Sequence, residues 1–230
     1  LSQNNDRVNY GWRIRQRNSV WLLLIAALGL APNCQKAYYA TMEKFGVHKR
    51  DIMVDRVERV RKTQEDTKET FENALERFQA VVEVDGGKLE KKYNKLKKVL
   101  EKSEAKAKAL SAHIDDVENV SLALFKEWEE ELNDYTSDAL RQQSAEQLAE
   151  TRRRYRPLMA AMRKAESSVE PVLVPLRDQV LFLKHNLNAR AVAALDVEVA
   201  SVKTDTQILI AELESSIQEA NRFIHAMKTP

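Results

Sequence analysis

The chain has 230 residues, 43% of them hydrophobic and 31% charged, with 5 glycines and 1 cysteine. So little glycine argues against all-β and α/β architectures, whose turns draw on it heavily. A single cysteine excludes an internal disulfide framework and a cysteine-based zinc site. Lys plus Arg number 37 against 35 Asp plus Glu, a formal net charge of +2. The excess is local, because Arg7, Arg13, Arg15 and Arg17 outweigh Asp6 ahead of Cys34 and leave the rest of the chain at −1. A near-neutral body does not suit a general nucleic-acid binder, which carries a large basic excess, and no nucleic-acid partner is expected.

Arg13, Arg15 and Arg17 precede an apolar run from Val20 to Ala31 that is interrupted only by Gly29. Such a run is too short for the ~20 residues that span a bilayer core. A basic segment followed by a short apolar one reads as a secretory signal. Cys34 follows directly, and Leu30-Ala31-Pro32-Asn33-Cys34 looks like a bacterial lipoprotein processing site at which Cys34 is acylated. Pro32 and Asn33 depart from the small residues usual there. The alternatives are an uncleaved inner-membrane signal anchor and simple secretion after Ala31. All three place the body in an extracytoplasmic space. The expected organisation is a signal segment over 1–33, a tether over 34–46 and one elongated helical domain over 47–230.

From Val47 the chain carries apolar residues at alternating steps of four and three, the heptad period. The first seam runs Met53, Val57, Val60, Gln64, Thr67, Phe71, Ala74, Phe78, Val81. Asp85-Gly86-Gly87 then predicts a turn, since glycine supplies the left-handed backbone that ends a helix. The second segment is expected from about Lys88 to Tyr135, with a seam from Leu89 through Leu96, Leu110, Ile114 and Trp128 to Tyr135. A third begins near Ser137-Asp138, good N-cap chemistry, with a seam from Leu148 to Leu183. Pro157, Pro171 and Pro175 should bend or interrupt it, and Glu170–Pro175 is a candidate break. The last segment follows Asn186-Leu187-Asn188. Its seam includes Val202, Thr206, Leu209, Leu213, Ile217, Ala220, Ile224 and Met227, with one 4-4 step read as a local stutter. Short turns make neighbours antiparallel. The predicted fold is all-α: an elongated antiparallel bundle of three to four long coiled-coil-like helices, BAR-like or spectrin-like in shape. Val47 and Met227 fall at the same end.

Three strings carry a family resemblance: Cys34-Gln35-Lys36-Ala37-Tyr38-Tyr39, Gly46-Val47-His48-Lys49-Arg50-Asp51, and Asp178 through Ala189. They resemble an uncharacterised family of predicted lipoproteins from Gram-negative bacteria. The resemblance covers nearly everything from Cys34 on. It implies a lipidated Cys34 and a helical fold, and brings no established activity. In such lipoproteins Gln35 after the Cys implies transport to the outer membrane.

The four histidines, His48, His113, His185 and His225, lack a Glu three residues before them, so the Glu-x-x-His of di-iron bundles is missing. There is no His-Glu-x-x-His motif, phosphate loop or nucleophile elbow. No catalytic residue, cofactor or metal is expected. Two surfaces are candidates for binding. Lys88 to Lys108 holds nine lysines and three glutamates. Lys91, Lys95, Lys98, Lys102 and Lys106 form one stripe, read as a membrane-surface candidate or as the solvated outer face of a coiled coil. His48, Lys49 and Arg50 near the tether, with Lys184 and His185, are candidate docking residues or polar helix ends. The leading expectation is a lipid-anchored extracytoplasmic scaffold or adaptor without catalysis, probing for an unidentified envelope protein partner. The alternative is a BAR-like membrane-shaping module, which usually works as a homodimer. A third reading is an envelope enzyme or its regulator that uses His48 or His185.

Overall fold

The computed structural model describes residues 49–83, 89–186 and 189–228. Lys49–Pro230 forms one compact unit. Its helices are α1 (Lys49–Glu83), α2 (Leu89–Glu131), α3 (Asp138–Ser167), α4 (Glu170–His185) and α5 (Ala189–Lys228). The fold is an all-α helical bundle. α1 packs between α2 and α5, and α3 and α4 together pack against the same two helices. The five helices therefore make four rods in a ring. Cross-rod contacts fix antiparallel order. Lys106 meets Asp66 at 2.7 Å, Arg177 meets Glu104 at 2.6 Å, and Lys164 meets Glu212 at 2.7 Å. At ~1.5 Å rise per residue, α2 is about 65 Å long.

The seams are the core. Met53, Val57, Val60, Phe71 and Phe78 of α1 are fully buried. Leu110, Ile114 and Val117 of α2, Leu158 and Met162 of α3, and Leu209 and Leu213 of α5 are buried with them. Polar seam positions are tolerated because most hydroxyls turn back to the carbonyl one helical turn earlier. Thr67 donates to Thr63 O at 2.6 Å, Ser121 to Val117 O at 2.6 Å and Thr206 to Val202 O at 2.7 Å. Gln64 has no such route. Its Nε2 donates instead across the bundle to Ser216 Oγ at 2.6 Å, and its Oε1 meets no donor.

Three expectations are corrected. First, α2 stops at Glu131, not Tyr135. The amides of Asn133 and Asp134 close onto carbonyls only three residues back, those of Glu130 and Glu131, which tightens and ends the helix. The connection then carries Tyr135 to 3.4 Å from Ser144 Oγ. This forward run shifts the pairing of α2 with α3. Arg152 lies against Glu129 and Phe125. Second, the break in the third segment lies at Ser168–Val169, ahead of Pro171. Pro171 has no amide for the Ser167 carbonyl, so α3 ends there, and α4 starts with Pro171 in its first turn. Helices continue through Pro157 and Pro175. Third, α5 has no stutter. Its buried residues are Val202, Thr206, Leu209, Leu213, Ser216, Ala220, Phe223 and Met227, an unbroken 4/3 alternation. Ile217 and Ile224 are half-buried beside it. Ser216 takes the inner position because Gln64 supplies its hydrogen bond.

The Ser137 hydroxyl caps α3 by accepting from Leu140 N at 3.4 Å, as its chemistry predicts. The expected Asp85-Gly86-Gly87 turn lies outside the described residues.

Candidate functional site

α1 begins at the pole where α5 ends. The Arg50 guanidinium donates to the Met227 carbonyl, one of the unpaired acceptors of the α5 terminus. The end of α2 and the start of α3 flank this pole, and a cleft of about 1000 Å³ opens between the four helices. α3 supplies one wall through Gln143, Glu146, Gln147, Glu150, Arg153 and Arg154. These recur every three or four residues and so share one helix face. α5 supplies the other wall through Arg222, His225 and Ala226, with Met227 below. Trp128 of α2 lies at the base, held by a 2.8 Å hydrogen bond from its Nε1–H to Ser144 Oγ. Arg50 completes the lining from α1.

The lining carries four arginines against two glutamates. Glu150 serves both Arg153 and Arg154, the latter through Nε at 2.5 Å. Arg222 is paired along its own helix with Glu219. Each guanidinium has five N–H donors, so these pairs leave donors directed at the cleft. The arrangement suits an anion.

Arg152 turns the other way from Arg153 and Arg154. Its guanidinium sits 5.2 Å from the centroid of the Phe125 ring and donates to Glu129 at 2.5 Å. That hydrogen bond holds the Glu129 carboxyl below the usual carboxylate range. Tyr155 packs edge-on to Phe125 at 5.2 Å, and burial raises its hydroxyl pKa. Lower on the same α2–α3 face, Arg163 joins Asp115 at 2.8 Å, Glu166 at 2.9 Å and Glu118. These contacts are structural and include no open space.

The lysine stripe lies toward the opposite pole. Lys91, Lys95, Lys98 and Lys102 are exposed. Lys106 is half-buried and bound to Asp66, so the stripe leans toward α1 and its last member is neutralised. Lys95 and Trp128 are 33 positions apart on α2, about 50 Å along a helix. Lys184 and His185 are exposed at the end of α4, near that same far pole. The candidate docking residues are therefore divided. Arg50 lines the cleft, while Lys184 and His185 sit far from it. Cys34 and His48 lie outside the described residues, as does the Lys49 side chain.

Two groups of interest escaped the sequence reading. Arg222 and His225 look like ordinary outer-face residues of a long helix until α3 is set opposite them. His113, passed over as a histidine without a metal partner, faces α1 and lies 2.8 Å from Thr63 Oγ1. Burial lowers its pKa, Arg59 and Arg56 add to the effect, and Asp116 opposes it. With the Thr63 hydroxyl donating to the Arg59 carbonyl at 2.9 Å, Nδ1 carries the proton of the neutral ring.

Among the described residues no helix is long and apolar enough to cross a membrane, and no three His, Cys, Asp or Glu side chains gather as a metal set. No curated protein matches the chain. The family described as Protein of unknown function (DUF2959) matches residues 38–227, which takes in the whole bundle, and the chain belongs to that family.

Proposed function

We propose that this chain is a lipid-anchored, extracytoplasmic helical scaffold or adaptor of the bacterial cell envelope, without catalysis of its own. Acylation at Cys34, cleavage of residues 1–33 and a tether over 34–46 would hold the bundle on a membrane, with Gln35 directing it to the periplasmic face of the outer membrane. An inner-membrane signal anchor is the alternative address. The observation that carries the reading is the shared pole of α1 and α5, joined by the Arg50 contact to Met227. The first and last helices of the bundle share that pole, and α2 measures about 65 Å along the bundle. That is a reach suited to an envelope protein partner.

The full chain, expressed in a Gram-negative host with labelled palmitate, tests this. Wild type should take up label and fractionate with the outer membrane, while Cys34→Ser should lose both. Recovery of unlabelled wild type in the cytosol would overturn the reading. Membrane retention without label would replace the lipoprotein with the signal anchor.

A BAR-like membrane-binding role is the second reading, favoured by the exposure of Lys91, Lys95, Lys98 and Lys102 along one face. The loss of Lys106 to Asp66 weakens it.

A further inference from the structure

We infer that the cleft at the α1/α5 pole is a binding site for a phosphate monoester group. The proposal goes beyond the scaffold reading and stands whether or not Cys34 is acylated.

Other surface features offer less. The lysine stripe is flat and partly neutralised. The exposed Val174, Leu181 and Phe182 on α4 make an apolar face with nothing to identify what covers it. The groove along Glu65, Glu69, Glu72 and Glu214 between α1 and α5 is lined by carboxylates, and its lysine, Lys68, is paired with Glu214. The cleft at the α1/α5 pole joins volume to a set of converging cations.

The bias is specific. Four guanidiniums from three helices, Arg50, Arg153, Arg154 and Arg222, border one space. Arginine is the side chain whose planar fork matches phosphate oxygens by paired N–H donation. With Glu146 and Glu150 counted, the lining holds a formal excess of two positive charges. A phosphate monoester carries about −1.5 to −2 at neutral pH, so it offsets that excess where a carboxylate would leave half of it. Gln143 and Gln147 add neutral donors on the same wall. Trp128, Ala226 and Met227 provide an apolar base, so the group can be borne on an organic body. The volume, about 1000 Å³, falls at the upper end of the range for small-molecule sites, ~300–1,000 Å³.

The guanidiniums are not locked elsewhere. Arg153 and Arg154 share one carboxylate, Arg222 has a partner one turn away, and Arg50 donates to a carbonyl without losing charge. Each keeps further N–H donors beyond these contacts.

A phosphate monoester could arrive as a lipid headgroup or as a soluble phosphate, and the test separates them. The full chain in zwitterionic detergent, with Trp12→Phe and Trp21→Phe so that Trp128 is the sole indole, is titrated with three probes. They are inorganic phosphate, dihexanoyl phosphatidic acid and dihexanoyl phosphatidylcholine. The expected result is a saturable change in Trp128 emission with phosphatidic acid, phosphate or both, weakened by salt. Arg153→Gln combined with Arg222→Gln should weaken it about tenfold or more. Arg156→Gln, an exposed arginine of α3 outside the lining, should leave it unchanged. Response to phosphatidic acid alone identifies a lipid headgroup, and response to phosphate identifies a soluble ligand. No response to either probe overturns the proposal. So does an equal response to phosphatidylcholine, or a double variant with unaltered ellipticity that still binds like wild type.

Discussion

Gln64 and Ser216 offer the sharpest test of how α1 and α5 are registered. Both side chains are fully buried, and among the described residues Ser216 Oγ is the one partner of the Gln64 amide. Ser216→Ala would leave the Gln64 amide buried with no acceptor. A stranded buried polar group costs about 1–3 kcal/mol, and in a chain of this size each kcal/mol moves Tm by roughly 2–4 °C. Tm should therefore fall by about 2–12 °C. Gln64→Leu removes the amide altogether, including an Oε1 that has no donor now. It strands little, because the Ser216 hydroxyl can turn to the Glu212 carbonyl as Thr206 turns to Val202. That variant should be as stable as wild type or more so, and the double variant should match Gln64→Leu to within about 0.5 kcal/mol. Thermal and urea unfolding followed by helical ellipticity measure all four chains, with unchanged m-values as the check on compactness. If Gln64→Leu costs more than Ser216→Ala, the amide is a net stabiliser and the argument fails.

Two further outcomes are expected. Phe223→Ala should cost about 3–5 kcal/mol, the usual range for an emptied aromatic core position, while Ile224→Ala, at a half-buried position, should cost much less. Unfolding curves that reverse this order would restore the stutter and expel Ser216 from the seam. His113 should make stability depend on pH. Its pKa is lower folded than unfolded, so the neutral ring is favoured in the bundle. That contribution is fully present above the unfolded value of ~6.5 and is lost as pH falls toward the folded value. Tm measured from pH 7.5 down to pH 5 should drop further for wild type than for His113→Gln, and parallel curves would refute the assignment.

The heptad pattern predicted four rods, their antiparallel order and the shared end of the first and last helices because core burial is what the pattern encodes. It misled where another interaction set the choice. At Ser216 a serine displaced Ile217 from the seam because only an inward hydroxyl meets Gln64. At Tyr135 the apolar spacing continued past the point where backbone bonding stopped. Pro171 ended a helix ahead of itself through a missing amide that acts four residues back, whereas Pro157, on the exposed side of α3, did not. The cleft was less legible for a different reason. Its lining residues lie on four helices far apart in sequence, and none belongs to a short motif.

The arginine run shows why a cluster in sequence and a cluster in space differ. Adjacent helical residues are turned by about 100° from one another, so Arg152 points away from the face that Arg153 and Arg154 border. Arg152 faces α2, whose last turn holds Glu129, Glu130 and Glu131 and no basic residue. Carboxylates there oppose the negative end of the helix dipole. By donating to Glu129 and stacking on Phe125, Arg152 adds a positive charge to that end, beside Lys126, which pairs with Glu130. Arg153 and Arg154 are turned toward the cleft and gain their neighbours from α1 and α5. Replacing Arg152 would thus act on the α2 terminus, whereas replacing Arg153 acts on the cleft. The basic character of this pole comes from Arg50 and Arg222, at opposite ends of the bundle sequence, as much as from the run that first draws the eye.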